Sequence, residues 1–451
     1  MGVRVRADDI SRDFDDSGVA GGNRIREARS GMNTRKTKRA VGLIATASAV
    51  ALILTGCARG GETPQTSDGG SASSPGITDT TLTFGITTPL SGASAGVGAC
   101  TADGALAYFG QKNAAGGITF GDGKTRTIQI KTYDDQYDPQ KANANFQQMA
   151  SGDVFAAGIG LGTPTNRAWR EAAIQRKFPQ VLVTTGDKLF SDRQESPWQL
   201  GLIPTYPQEG EAFGKALVAS GQPHKVAVLS QNDDYGKGYV EGLKKAIADH
   251  PEIQIVGELT YETTDTSVDA QLTELADTGA DVFFNAMSIT PLVISSLQKA
   301  QQLGWKPSWF LPANTSSPKA ILEPGGGAAF PGIYTTAFAE AAASPAFQDS
   351  DAGKSFMSAL AEYTKQDGIP AFPQCVWSWI AAETLQQAFE NMKEPTRESF
   401  MTALRSISDF HASFMLPGAA IDTTKDGVPA VSQVVVQKYD GKGYDTVQAF
   451  G

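Results

Sequence analysis

From Thr81 onward the chain switches repeatedly between two hydrophobic periods, which neither an all-helical nor an all-β fold accommodates. Short apolar runs at 82–87, 127–133, 154–159, 180–184, 225–230, 253–259 and 281–285 have the length and β-branched content of strands. Amphipathic stretches lie between and after them. Val240, Leu243 and Ile247 fall at i, i+3 and i+7, and Trp377, Ile380, Ala381, Thr384, Leu385 and Ala388 mark one helical face. Strands that alternate with helices pair in parallel and take helices on both faces of the sheet, so the predicted class is α/β. A chain of 451 residues exceeds the roughly 250–300 at which one core stops growing, and two such lobes are expected.

The joints between strands and helices carry a second pattern. Asp138-Pro139, Thr163-Pro164, Thr290-Pro291 and Ser317-Pro318 each set a capping side chain before a proline, the order that opens a helix. In a parallel sheet these openings share the edge at the carboxyl ends of the strands. Free N–H groups and positive helix-dipole ends converge there, and open α/β sheets bind ligands at that edge. The tail from Phe414, with "AVSQVVVQKYD" and the turn-like "KYDGKGYD", reads as the last strands of a lobe.

The amino end has another logic. Arg35, Lys36, Lys38 and Arg39 precede an uncharged run from Ala40 to Gly56, the order of a secretory signal and too short for a membrane span of about 20 residues. Its end, Leu54-Thr55-Gly56-Cys57, resembles a bacterial lipobox, in which the cysteine is acylated and becomes the new amino terminus. Residues 1–56 are therefore assigned as a signal region, and a start at Met32 would give a signal of ordinary length. Residues 57–80, rich in Gly, Ser, Thr and Pro, read as a flexible tether. Removing 1–56 takes away ten of 38 cations and six of 48 acids, leaving 28 against 42, a net charge near −14. That balance argues against nucleic acid and anionic headgroups as partners. With Cys57 lipidated, Cys100 and Cys375 remain; a disulfide between them and two buried thiols fit the sequence equally.

Catalytic constellations are sparse. His224, His250 and His411 are the three histidines, and no H-E-x-x-H, paired C-x-x-C or P-loop is present, so no metal or cofactor is expected. "GIGLGT" at 158–163 lacks the third glycine of a dinucleotide fingerprint. Asp134 and Asp135, with Asp138 nearby, point to opposite faces of an extended segment and suit turns and caps better than one shared ion. Gly92-Ala93-Ser94-Ala95-Gly96 matches the G-x-S-x-G nucleophile elbow. Six residues, 87–92, separate Ile86 from Ala93, too many for a sharp strand-to-helix turn, and His411 is the single late histidine available as a base. An extracytoplasmic serine hydrolase using Ser94 is the weaker reading.

Six stretches then add up. "LTFGITTPLSG", "NAAGGI" at 113–118, "YDDQYDPQKA" at 133–142, "VAVLSQNDDYGKGYVEGLKKAI" at 226–247, "GADVFFNAMS" and "AQQLGWKPSWFLPANTSS" occur in order. Together they resemble the extracytoplasmic solute-binding proteins of ABC importers, the branched-chain amino acid (Leu/Ile/Val-binding) family, in lipoprotein form. The resemblance implies a type I periplasmic-binding-protein fold: two doubly wound parallel-sheet lobes joined by three hinge crossings and closing on a small ligand. Lobe 1 would hold 81–204 and 334–409, lobe 2 205–333 and 410–451.

Carried onto this sequence, the resemblance assigns Gly162 and Thr163 to a loop that holds a ligand carboxylate, and Thr184, Thr185 and Gly186 to a second such loop. Ser94 becomes a lining residue of the first strand-to-helix loop, Tyr235 a cleft aromatic, and Met287, Ser288 and Asn314 cleft residues of the other lobe. Two departures stand out. Pro312-Ala313-Asn314 replaces a loop that supplies an acid for an α-ammonium, which leaves a plain α-amino acid without its charge partner. Small residues from Ser91 to Ala99, with Val97 in place of a large aromatic, suggest a roomier mouth. The expected function is a lipid-anchored, monomeric receptor that captures a small polar organic solute, such as an amino acid, amide or carboxylate, for a permease and its ATPase. A sensor with the same fold is the alternative.

Overall fold

The computed structural model describes residues 73–448 and Phe450. The expected signal region, Cys57 and the first part of the expected tether lie outside the described residues. The far part of that tether is packed rather than free: Ser74 N–H donates to Pro395 O at 2.9 Å, and Ile77, 4% exposed, bridges to Leu82.

Lobe 1 begins with β1 (Thr81–Thr88), α1 (Ala95–Ala114), β2 (Ile118–Thr119) and β3 (Thr125–Asp134). It continues with α2 (Pro139–Ser151), β4 (Ala156–Gly158), α3 (Thr163–Gln175), β5 (Gln180–Val183) and β6 (Gln199–Gly201). The sheet runs β2-β3-β1-β4-β5-β6, parallel except where β2 meets β3. Thr81 to Thr88 pair residue for residue with Thr127 to Asp134.

Lobe 2 follows with α4 (Tyr206–Ala219), β7 (His224–Gln231), α5 (Asp234–Ile247), β8 (Ile253–Tyr261) and α6 (Asp269–Asp277). Then come β9 (Val282–Ala286), α7 (Thr290–Gln302), β10 (Ser308–Phe310), the single turn α8 (Glu323–Gly325) and β11 (Ile333–Ala337). The chain returns to lobe 1 through α9 (Pro345–Asp349), α10 (Asp351–Tyr363), α11 (Gln374–Asn391) and α12 (Arg397–Leu404), and ends with the hairpin β12 (Val435–Tyr439) and β13 (Tyr444–Val447). The second sheet is β13-β12-β11-β10-β9-β7-β8, antiparallel only within β11, β12 and β13.

All seven strands expected from the sequence form, and β4 is the one trimmed most. Ile159 has φ 61°, a left-handed conformation that ends the extended run. The lobe boundaries shift for physical reasons. β11 pairs with β10, so the return crossing follows Ala337. Residues 410–431 stay on lobe 1, because Ala412, Phe414, Ile421 and Val431 bury in its core and Val431 N–H donates to Leu202 O at 2.9 Å. The crossings thus lie near 202–205, 338–340 and 432–434.

Of the four expected proline caps, two form. Asp138 accepts from Gln140 N–H and Lys141 N–H, and Ser317 accepts from Ala320 N–H. Thr163 and Thr290 instead stand inside their helices, where Gly162 and Ile289 hold the cap position and no side chain caps. α1 packs against α10 and α11. Gly104 permits that approach, since a Cβ there would lie 2.0 Å from Cys375 O. One turn away a disulfide joins Cys100 to Cys375, tying α1 to α11. Among the described residues no helix is long and apolar enough to cross a membrane.

Candidate functional site

One cavity lies where the carboxyl-end loops of both sheets meet, and its walls come from both lobes. α1 contributes Ser94 and Val97 at its amino end, the loops after β3 and β4 contribute Tyr137, Leu161 and Gly162, and Thr184, Ile203 and Trp377 complete the lobe 1 side. Lobe 2 supplies Tyr206 and Glu209 from α4, Tyr235 and Tyr239 from α5, Ser288 from the loop after β9 and Asn314 from the loop after β10. Gly162 has φ 108°, a conformation that favours glycine and brings its backbone to the wall. The volume open to water centres is about 20 Å³, room for one or two waters with the lobes in this arrangement.

Of the ten expected ligand contacts, Ser94, Gly162, Thr184, Tyr235, Ser288 and Asn314 face this cavity. Thr163, Thr185, Gly186 and Met287 do not line it. The hydroxyls of Thr163, Thr185 and Tyr206 form a closed triangle with edges of 2.9, 3.0 and 3.0 Å. The threonines assigned to a ligand carboxylate are therefore engaged by a tyrosine of the opposite lobe. Gly186 makes room for that tyrosine, because a Cβ there would lie 2.6 Å from the Tyr206 ring. Met287 is fully buried and offers its carbonyl, which accepts from Tyr235 O–H at 3.2 Å.

The aromatic wall is continuous. Tyr206 stacks on Tyr239 with ring centroids 4.8 Å apart and meets Tyr235 edge-on at 4.7 Å, and Tyr235 O–H reaches Asn314 Oδ1 at 3.0 Å. Burial raises all three phenols well above their ordinary pKa, so they remain neutral donors. Tyr137 enters from lobe 1, packs against the lobe 2 core and lies 3.4 Å from Ser288 Oγ; burial pushes its pKa up to about 12.

Glu209 is the charged residue of the wall that sequence reasoning missed. It is 3% exposed and lines the cavity; its Oε1 accepts from Tyr239 O–H at 2.9 Å and its Oε2 from Thr336 Oγ1–H and, at 3.4 Å, Ala313 N–H. Burial pushes its carboxyl up to about 7, against the pull of the Thr336 and Tyr239 hydrogen bonds. The loop 312–314 has no acid, yet a carboxyl from α4 sits against its backbone. One signal was available: in "TYPQEGEAFGKAL" Glu209 falls four residues before Phe213 and eight before Leu217, in line with the apolar face.

Ser94 and His411 are not brought together. Ser94 caps α1 through its backbone and faces the cavity, whereas the exposed His411 ring lies 3.4 Å from Asp409 beside a separate pocket with Tyr108 and Glu383. Asp134 and Asp135 diverge as expected: the first accepts from Leu90 N–H and Ser91 O–H, the second from Thr87 O–H and Tyr137 N–H. No group of three metal-ligating side chains occurs among the described residues.

The periplasmic binding protein family model matches residues 81–444, nearly all of the two-lobed body. The chain belongs to that family. A Leu/Ile/Val-binding protein homolog 3 of Brucella melitensis is 26% identical over 210 residues, covering 45% of this chain and 53% of that relative, so the match spans about half its length. A substrate-binding periplasmic protein from Ralstonia solanacearum has the same fold, with a TM-score of 0.70 at 21% identity over 81% of this chain and 99% of that one. A fatty acid ABC transporter substrate-binding protein from Thermomonospora curvata gives 0.72 at 24% identity, covering 84% and 94%. A solute-binding protein from R. palustris in complex with benzoate gives 0.65 at 17%, covering 81% and 95%. The family is one of extracytoplasmic binding proteins, and this member encloses its cavity with a denser aromatic wall than the sequence suggested.

Proposed function

We propose that the protein is the solute-binding component of an ABC importer and captures a small organic carboxylate with an apolar or aromatic body. The observation that carries this reading is the inter-lobe cavity itself. The amino ends of α1 and α3, at Ser94 and Gly162, open onto one side, and four tyrosines and Trp377 surround the rest. Helix amino ends and the Ser94 hydroxyl favour an anionic group without a lysine or arginine in the wall; the Thr184 hydroxyl donates to Ile159 O at 2.6 Å. Rings favour the apolar remainder. The benzoate complex of the R. palustris neighbour supports the same chemistry.

Glu209 favours a second reading, an amino acid whose ammonium would ionise that carboxyl and pair with it. Thermal melts of the purified protein with benzoate, phenylacetate, short alkanoates, leucine and phenylalanine separate the two. A carboxylate ligand raises Tm with the acids alone, since a ligand bound only by the native state stabilises it. A rise with the amino acids alone overturns the carboxylate reading, and no rise across the panel overturns solute capture.

Delivery places the receptor outside the cytoplasm as a monomer held by a lipidated Cys57. Cys57→Ala should move it from the membrane fraction to the medium or periplasm. Continued retention in washed membranes would refute the anchor. Co-purification of permease and ATPase subunits after crosslinking at saturating ligand would distinguish an importer from a sensor.

A further inference from the structure

A second, larger hollow lies beside the hinge, and it is not part of the cavity described above. It measures 280 Å³, close to the lower end of the roughly 300–1,000 Å³ typical of small-molecule sites. Lobe 1 contributes the loop 369–373 and the crossing segment 338–343, and lobe 2 contributes residues of β11, β12 and β13 and of the turn before β13. Its floor is apolar, made by Phe338, Ala339, Ala341, Ile369, Ala371 and Phe372. Lys319, Glu323, Glu340 and Lys442 supply the charged groups of its lining.

Three observations connect this hollow to the first cavity. Trp377 lines both, and it is 4% exposed, so its indole is a wall common to the two spaces. Thr336 lines the hollow while its hydroxyl donates to Glu209, which lines the cavity. Phe372 packs against the cores of both lobes, and Ser317 Oγ of lobe 2 donates to Ala371 O of lobe 1. The hollow is therefore assembled only when the lobes meet, and an occupant would favour the closed form through contacts that the open form lacks.

We infer that the hollow is a tail subsite of the ligand site, entered past Trp377 and accepting an aliphatic or arylalkyl chain whose polar head lies among the tyrosines. The inference rests on the carboxylate reading and deepens it. The small side chains of Ala339, Ala341, Ala342 and Ala343 leave width for a chain, and no charged residue of the rim belongs to the stretch 369–373 that forms the opposite wall. A free carboxylic acid with a long apolar chain would set its head among the tyrosines, where the lobes must part beyond the one- or two-water space of this arrangement, and its chain in the hollow.

Titration calorimetry of the full chain with straight-chain alkanoates from butanoate to decanoate tests this. Each methylene placed in the hollow should tighten binding about fourfold. Ala341→Trp, at an exposed position, should stop that gain at short chains while butanoate binds within twofold of the wild type; Ala371→Phe, from the opposite wall, should do the same. Binding of butanoate with no gain on lengthening overturns the tail subsite and leaves the carboxylate reading in place. A chain-length gain that both plugs leave untouched also overturns it, and points to the hollow as a docking face for the permease. Binding by no alkanoate, when benzoate binds, overturns the tail subsite alone; binding by neither overturns both.

Discussion

At the scale of single residues Glu209 has the sharpest consequence. Its carboxyl is raised from the ordinary range to about 7 by burial, so the folded state holds a proton that the unfolded chain releases at about 4.5. The unfolded state then binds fewer protons across that window, and stability falls as pH rises from about 4.5 to 7. The contribution is on the order of 3 kcal/mol, fully present below the lower value and lost above the upper. Asp135, pushed by burial up to about 6, acts in the same direction over a narrower window. Glu209→Gln should flatten most of the slope and leave the Asp135 share. Urea midpoints for wild type and variant at pH 5 and pH 8 measure it; an unchanged difference between the two pH values would remove Glu209 as the source. Tyr206→Phe is the companion test. It deletes one corner of the hydroxyl triangle, but Thr163 and Thr185 still bond each other, so a loss of about 1 kcal/mol is expected rather than the larger penalty of an orphaned buried group.

At the scale of elements, the disulfide does more than close a loop. Cys100 and Cys375 join α1 and α11, and those helices also present Val97 and Trp377 to the cavity. The bridge spans 275 residues of chain. Replacing both cysteines with serine should cost about 2–5 kcal/mol and lower Tm by several degrees. If the tie also positions the two wall residues, ligand affinity should fall further than the stability loss explains. Melting curves and binding isotherms of the oxidised and reduced protein decide between them, and equal affinity in both states would limit the bridge to stability.

The elements also show what local sequence can and cannot reveal. The strand at 225–230 is legible from the continuous apolar run Val226 to Leu229, the signature of a strand buried on both faces, and the strand at 82–87 from Leu82, Phe84 and Ile86 alternating with Thr83, Gly85 and Thr87. Residues 410–431 carry no period that marks their lobe: their place is set by five buried apolar residues, Ala412, Phe414, Ile421, Ala430 and Val431, in the lobe 1 core. Thr163-Pro164 had the right chemistry for a cap, yet Tyr206 outcompetes the helix end for that hydroxyl. Six of the ten residues expected at the cleft line the cavity. Tyr239 is not legible, since an aromatic on an apolar helix face reads as packing, and Glu209 leaves one signal, a charge in line with the apolar face of its helix.

At the scale of the whole molecule the question is what holds the lobes together. Arg167 on α3 pairs with Asp187 of its own lobe and, at 2.6 Å, with Asp234 on α5 of the other; Lys188 reaches Glu241 at 2.9 Å. The two inter-lobe pairs are about half exposed, so each is worth at most about 1 kcal/mol and is screened by salt. A bias of that size shifts a closed population about fivefold, enough to tune capture without locking it. Asp234→Asn removes the inter-lobe half of the Arg167 pair and leaves Asp187 in place. Ligand affinity in the variant should fall up to about fivefold at low salt, mostly through faster release, because the contact forms only on closure. Raising NaCl from about 50 to 500 mM should weaken the wild type towards the variant and change the variant little. Stopped-flow release rates and small-angle scattering with and without ligand follow both effects. A variant that releases ligand at the wild-type rate, with the same compaction on binding, would show that the tyrosine and threonine contacts near the hinge hold the lobes closed without help from the rim.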